Sequence, residues 1–95
     1  MQWVEKNKKN EGIYKREEQD KTIYMIAAGE KPNMGYAVSV NKTYKDNKGN
    51  VVIEYEMKQP GLGERVMQAF SYPYVLFFMD NQETAIFKEQ KSIKE

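Results

Sequence analysis

Residues 36–58, with the sequence YAVSVNKTYKDNKGNVVIEYEMK, decide the fold. Apolar and polar side chains alternate on both sides of the turn DNKGN at residues 46–50. A period of two is typical of a strand with one buried and one wet face, and aspartate, asparagine and glycine are preferred in turns. The stretch therefore predicts a β-hairpin that buries Val51, Ile53 and Tyr55 and exposes Glu54 and Glu56.

Short apolar runs recur along the rest of the chain. They lie at residues 13–16, 22–28, 65–71, 74–78 and 84–88, with turn residues between them. The run at 22–28 is apolar on both faces, which predicts a central strand, and the run at 74–78 predicts a buried one. About seven short strands indicate an all-β fold: an immunoglobulin-like, antiparallel β-sandwich or a small barrel. A helix within residues 60–72 is the alternative for one of these strands, although two glycines there disfavour helix initiation.

The domain boundaries follow from where the apolar residues begin and end. Residues 5–10 have only charged side chains and the amide side chains of asparagine, and none of them is apolar. We therefore expect residues 1–11 to be a flexible leader or tether. Trp3 either packs on the edge of the domain or is left exposed, or it contacts a partner. Residues 12–95 are expected to form a single β domain that frays from about residue 89.

Composition limits the chemistry that this chain can perform. Its 95 residues include 15 lysines and arginines and 14 acidic residues, which gives a net charge of +1, and it has no cysteine or histidine. This balance lacks the basic excess of a nucleic-acid-binding domain. The missing residue types exclude disulfides, thiolate nucleophiles, cysteine–histidine zinc sites and catalysis that needs imidazole. We therefore expect a protein that is not an enzyme and has no catalytic residue, cofactor or metal ligand.

Two motifs contain carboxylates, and we interpret both as structural. Glu54 and Glu56 lie on the predicted wet face, whereas an acid/base pair needs one carboxyl in an apolar pocket that raises its pKa. The segment 46–50 offers oxygen ligands, but Lys48 stands in its middle and no glutamate follows at the spacing of a calcium loop. Solvated strand charges and a hairpin turn are the predictions here.

Three segments combine proline or glycine with large apolar side chains at the strand ends: 31–36, 59–64 and 72–74. If they gather at one end of a sandwich, they form a rigid and partly apolar surface that loses little loop entropy on binding. Ordinary turns whose apolar tips fold back onto the core are the alternative. The candidate protein-binding residues are Pro32, Asn33, Met34, Tyr36, Leu62, Tyr72 and Tyr74.

The order of these motifs resembles the PrcB C-terminal domain family. The pattern is GEKPxxGY at 29–36, PGxG at 60–63, Gln68, and PY at 73–74, within a match over about residues 23–79. The family is named for an accessory subunit of a bacterial surface protease complex. The resemblance implies an exported or lipid-anchored protein with an all-β domain that contacts a protease and assists its assembly or stability. One departure is Met34, where the family usually has a small residue.

A looser likeness links the same loops to chagasin-type inhibitors of cysteine proteases. Both have Pro-x-x-Gly-aromatic, then a glycine-rich turn, then a proline followed by an aromatic residue. The threonine pair and the arginine of that family are missing here. The alternative that this likeness implies is a protease inhibitor that uses residues 31–36, 59–64 and 72–74, with Met34 entering the enzyme cleft.

These observations predict a non-enzymatic protein-binding module of an exported bacterial protein, an accessory or stabilising subunit of a protease complex. A protease inhibitor and a structural assembly unit are the alternatives. We expect a protein partner, possibly a protease, and no nucleic acid. We expect no membrane span, since the longest apolar run has five residues, 75–79. The expected compartment is extracellular or at the cell surface, with an export signal removed, and the expected state is a monomer.

Overall fold

The computed structural model describes residues 2–90, which contain one helix and six strands. These are α1 (Gln2–Asn7), β1 (Gly12–Glu17), β2 (Lys21–Ala27), β3 (Ala37–Lys45), β4 (Val51–Lys58), β5 (Tyr74–Asp80) and β6 (Ala85–Glu89). The strands form two three-stranded sheets with the orders β1-β2-β5 and β3-β4-β6. The all-β prediction is therefore confirmed, with six strands in place of about seven. No helix within residues 2–90 is long and apolar enough to cross a membrane.

β2 is the central strand of the first sheet, as its two apolar faces predict. On one face, Met25 and Ala27 pack with Val4 of α1, and all three are buried. On the other face, the ring of Tyr24 meets the ring of Phe87 from β6 edge-on, with 5.1 Å between the ring centroids. Successive strand side chains point to opposite faces, so β2 is covered on both sides and joins the helix to the second sheet.

The β3–β4 hairpin forms as predicted, with a register shift between Val40 and Lys42. In its turn, Oδ1 of Asp46 accepts hydrogen bonds from the backbone N–H groups of Lys48 and Asn50, both at 2.9 Å. The bond from Asn50 is the main cause that holds the pKa of Asp46 below its ordinary value. This carboxylate therefore serves as an acceptor for the turn, in agreement with the prediction.

One strand pair differs from the antiparallel expectation, because β6 runs parallel to β4. β5 belongs to the first sheet, and the turn after it carries the chain across to the second sheet. There the N–H of Val51 donates to the carbonyl of Thr84 at 2.8 Å, and β6 continues alongside β4 in the same direction. The crossing from one sheet to the other determines that β6 runs parallel to β4. Local alternation of apolar and polar side chains does not indicate the direction of a strand.

Two further strand predictions need correction. Residues 65–71 form an irregular loop, in which only Ser71 makes a strand-like bridge, to Lys31. Pro60 and Pro73 bracket this segment, and it pairs with another loop instead of a strand. β5, expected to be buried, lies at an edge of its sheet, and Phe78 is 58% exposed there. The alternative helix within residues 60–72 does not form.

The segment expected to be a flexible leader contains α1. Val4 is 3% exposed, and Trp3 packs against the same cluster, which is the edge packing that its sequence context suggested. The hydroxyl of Tyr14 donates to the carbonyl of Asn10 at 2.8 Å and ties the segment to β1. This helix could not be recognised from the sequence, because the segment is mostly charged. Two adjacent apolar residues are enough to dock the helix on the domain. The predicted fraying from about residue 89 falls largely on residues 91–95, outside the described residues.

Val4→Ala tests whether α1 is an integral part of the domain. The substitution removes two buried methyl groups and should lower the free energy of unfolding by about 1.5 kcal/mol. Urea unfolding measures this change as a lower midpoint at an unchanged slope. The matched control is Lys6→Ala on the exposed side of the same helix, which should shift the free energy by less than about 0.5 kcal/mol. Equal effects of the two variants would contradict the packing of α1.

Candidate functional site

Two loops leave the sheets side by side at one end of the molecule. The short loop (residues 28–36) joins β2 to β3, and the long loop (residues 59–73) joins β4 to β5. Ala27 at the end of β2 pairs with Tyr74 at the start of β5. Ala37 at the start of β3 likewise pairs with Lys58 at the end of β4. The residues that flank the two loops are therefore paired at both ends. For this reason the two loops run side by side from one sheet to the other.

Backbone hydrogen bonds join the two loops along their length. The N–H of Ala28 donates to the carbonyl of Pro73 at 2.9 Å. Lys31 and Ser71 exchange two such bonds, at 2.9 and 3.0 Å. The hydroxyl of Ser71 also donates to the carbonyl of Asn33 at 2.6 Å. These bonds continue the pairing of β2 with β5 beyond the sheet, so the loops form one connected unit.

The loops also make close side-chain contact at Gly35. A Cβ at this position would lie 2.6 Å from Cγ1 of Val66 and 2.8 Å from Cβ of Pro60. Such distances are shorter than van der Waals contact, so only glycine fits here. The side chain of Asn33 accepts the N–H of Gly35 at 2.8 Å, and the N–H of Met34 donates to the carbonyl of Met67 at 3.0 Å. The tip of the short loop is therefore fixed against the long loop.

Four large apolar side chains of these loops are exposed: Met34, Leu62, Met67 and Phe70. We call them the loop surface. Leu62 is fully exposed and Phe70 is 67% exposed. Exposed apolar side chains that form one patch are typical of an interaction site, and these four lie on two loops that are hydrogen-bonded to each other. The alternative that Met34 and Leu62 fold back onto the core is wrong.

The structure brings the predicted site residues to this end, but in different environments. Pro32, Met34, Leu62 and Tyr74 are exposed, whereas Asn33, Tyr36 and Tyr72 are partly buried. The ammonium group of Lys31 lies 5.5 Å from the centroid of the Tyr36 ring. The carbonyl of Asn33 accepts the hydroxyl of Ser71 from the long loop, and its side chain accepts the N–H of Gly35 within the short loop. The structure therefore assigns Asn33 a role within the fold.

Tyr72 links the residues that follow α1 to the loops. Its ring lies beneath the ammonium groups of Lys8 and Lys9, at 5.6 and 5.9 Å from the centroid. Its hydroxyl donates to the carboxylate of Glu30 at 3.0 Å. This hydrogen bond is the main cause that raises the pKa of Tyr72 above its ordinary value, because ionisation would remove the proton that is donated. Tyr72 is therefore engaged within the chain.

Met67 and Phe70 were not predicted as surface residues. The strand expected at residues 65–71 would have placed them on its opposite faces. The signal that identifies them is the pair of prolines, at 60 and 73, that isolates this stretch from both neighbouring strands. In the irregular loop that forms instead, Met67 is 70% and Phe70 is 67% exposed.

The remaining candidate groups are engaged elsewhere. The hydroxyl of Tyr44 donates to Glu54 at 3.0 Å, and the amide of Asn41 donates to Glu56 at 3.0 Å. Among residues 2–90, no group of three or more aspartates or glutamates is placed to hold a metal ion. A recess beside the loops, near Tyr36, has a volume of only about 110 Å³. Small-molecule sites are commonly ~300–1,000 Å³, so this recess is smaller than a typical one.

A second candidate region lies at the opposite end of the first sheet. A recess of about 430 Å³ lies between the turns at 19–21 and 80–82, beside the exposed ring of Phe78. The side chain of Asn81 spans these turns, since its amide donates to the carbonyls of Glu18 and Gln19 at 3.2 and 3.0 Å. Phe78 therefore provides an exposed phenyl ring far from the loop surface, which is useful as a control.

Comparison with known protein families gives a match that covers more than half of the chain. The model of the PrcB C-terminal family matches residues 22–80. This span contains β2 to β5, both loops and the whole loop surface, while α1, β1 and β6 lie outside it. No curated protein and no solved structure matches the chain.

Gly35→Ala tests the close approach of the loops. The added methyl group should force them apart and lower the free energy of unfolding by about 1–3 kcal/mol, measured by urea unfolding. Gly61→Ala is the control, since its Cβ would meet only Oε1 of Glu64, at 3.6 Å. That variant should be neutral or slightly more stable. Loss of stability in the control alone would contradict the packing described.

Glu30→Gln tests the link between Tyr72 and the short loop. The variant should lower the pKa of Tyr72 towards its ordinary value, because the amide no longer stabilises the protonated phenol as the carboxylate does. An NMR pH titration of the tyrosine Cζ resonances measures this, with Tyr44, whose pKa is raised by Glu54, as the internal control. The stabilisation is present at neutral pH and is lost as the pH rises through the pKa of folded Tyr72. An unchanged Tyr72 titration would contradict the hydrogen bond.

Proposed function

The chain belongs to the PrcB C-terminal family, and from this membership and the loop geometry we propose that it is a non-enzymatic protein-binding domain. Its role is that of an accessory or stabilising subunit of a protease. The family is named for an accessory subunit of a protease complex, which indicates such a role in general. The finer proposal is that the loop surface makes the contact with the protease.

The observation that carries this proposal is the exposure of Met34, Leu62, Met67 and Phe70 on two loops that are tied together. An isolated flexible loop would lose conformational entropy when it binds, at about 1–2 kcal/mol per backbone residue fixed. The paired loops have already lost much of this entropy in the free protein. More of the free energy gained by burying the apolar area is therefore available for binding affinity.

The same geometry favours binding over catalysis. Enzyme sites place titratable groups in a concave pocket where their pKa values shift. The loop surface protrudes at Leu62, and its side chains are apolar. The carboxylate of Glu30 accepts a hydrogen bond from the hydroxyl of Tyr72. An accessory subunit needs such a surface to hold another protein. We further propose an extracellular or cell-surface location, which rests on the protease complex for which the family is named.

Capture of a protease from native extract tests the function. The wild-type domain should retain one protease, identified by mass spectrometry, whose turnover persists in the complex. Phe70→Ala should weaken this interaction by about tenfold or more, as expected for an aromatic side chain that becomes buried in the complex. The matched control is Phe78→Ala, which removes a similarly exposed ring at the opposite end of the sheet.

The outcomes separate the alternatives. Loss of binding with Phe78→Ala and not with Phe70→Ala would move the interface to the opposite end and contradict the proposal. Capture with full loss of turnover would identify an inhibitor. A domain that retains no protease would contradict the accessory role.

A further inference from the structure

The tip of the long loop is a β-turn that is closed on both sides. The N–H of Glu64 donates to the carbonyl of Gly61 at 3.1 Å, and the N–H of Gly61 donates to Oε1 of Glu64 at 3.2 Å. Gly63 has a φ of +81°, as the third residue of a type II turn requires. Leu62 is the second residue of this turn. Its backbone is therefore held from both ends by the residues of the turn itself.

Leu62 has no contact that explains its position within the fold. Its relative exposure is 107%, the largest among the exposed apolar residues of the chain described here. An apolar side chain gains nothing from complete exposure to water, whereas its burial in a partner is favourable. A closed turn that holds leucine in solvent resembles a preorganised anchor, which can enter a pocket without reordering its backbone.

The charges near the turn indicate the character of that pocket. The carboxylate of Glu64 is hydrogen-bonded to Gly61, and that of Glu30 to Tyr72. Arg65 and Lys58 are exposed and form no ion pair with any residue between 2 and 90. The carboxylates of Glu64 and Glu30 are thus engaged within the chain, while the cations of Arg65 and Lys58 remain available to a partner. Complementary charge on the partner is therefore negative.

We infer that Leu62 is an anchor that inserts into an apolar pocket of the protein partner, and that carboxylates at the rim of the pocket pair with Arg65 and Lys58. Glu64 is a positioning residue that holds the turn in its bound form. This inference rests on the proposed function, because it assigns the pocket to the protease that the loop surface binds.

The role of Glu64 can be measured on the free domain. NMR temperature coefficients should show that the amide protons of Gly61 and Glu64 are hydrogen-bonded in the wild type. Glu64→Gln keeps an oxygen acceptor for Gly61 and should retain both signatures, whereas Glu64→Ala should lose that of Gly61. A Gly61 amide that behaves as freely solvated in the wild type would overturn the assignment of Glu64.

Affinity for the protease captured by the wild-type domain tests the anchor. Leu62→Ala should weaken binding about tenfold or more, and Leu62→Met by much less, because methionine can still fill the pocket. Glu64→Ala should weaken binding, and Glu64→Gln should restore it. Arg65→Glu should weaken binding and reduce its dependence on salt, whereas Lys48→Glu, in the hairpin turn at the other end, should do neither.

A glycine pair separates loss of the turn from loss of stability. Gly63 and Gly49 have nearly equal positive φ angles, +81° and +83°, and a Cβ at either would meet nothing within 4 Å. Alanine at either position should therefore impose similar backbone strain. Only Gly63→Ala should weaken binding to the protease. Equal loss of affinity in both variants would overturn the anchor and indicate a general effect of stability.

Failure of this inference differs from failure of the proposed function. If Phe70→Ala weakens binding while Leu62→Ala does not, the loop surface binds a protease without the anchor, and the inference is wrong. If the domain captures no protease, both fail. Co-sedimentation with phosphatidylglycerol vesicles that is lost in Leu62→Ala, without protease binding, would show that the anchor enters a lipid surface instead and would overturn the protein pocket.

Discussion

Two strand registers fix the end of the protein that carries the loop surface. Ala27 is paired with Tyr74 in one sheet, and Ala37 with Lys58 in the other. The two connecting loops are therefore forced into the same space, and backbone hydrogen bonds continue between them. A shift of either register by one residue would move the loops apart and turn the core side chains of the strand outward. The exposed apolar surface depends on this double pairing more than on any single residue within the loops.

The core supports this arrangement from beneath. β2 is the strand that precedes the short loop, and it is covered by α1 on one face and by the Tyr24–Phe87 contact on the other. Tyr72 brings the long loop to Lys8 and Lys9, which directly follow this helix. Rigidity in the loops therefore derives from an anchored central strand. This explains how apolar side chains can remain in solvent without collapsing onto the sheets.

The parts of the fold that depend on local pattern were predictable. Alternation identified the β3–β4 hairpin, and two apolar faces identified β2 as central. The parallel β4–β6 pair was not predictable, because the crossing from one sheet to the other is a non-local choice. α1 was missed because its docking depends on Trp3 and Val4 within a charged segment. In the candidate site, the positions of prolines and glycines indicated that the loops gather at one end. The exposure of Met67 and Phe70 was not predicted, because residues 65–71 were expected to form a strand.

We propose that the loop surface is the face that contacts the protease. The six methionines allow a direct measurement, because Met34 and Met67 lie on that surface while Met25 and Met79 are buried in the first sheet. Methyl NMR spectra of methionine-labelled domain should be recorded during titration with the captured protease. The account predicts that the Met34 and Met67 signals shift or broaden first. Changes confined to Met79, near Phe78, with Met34 and Met67 unaffected, would contradict it.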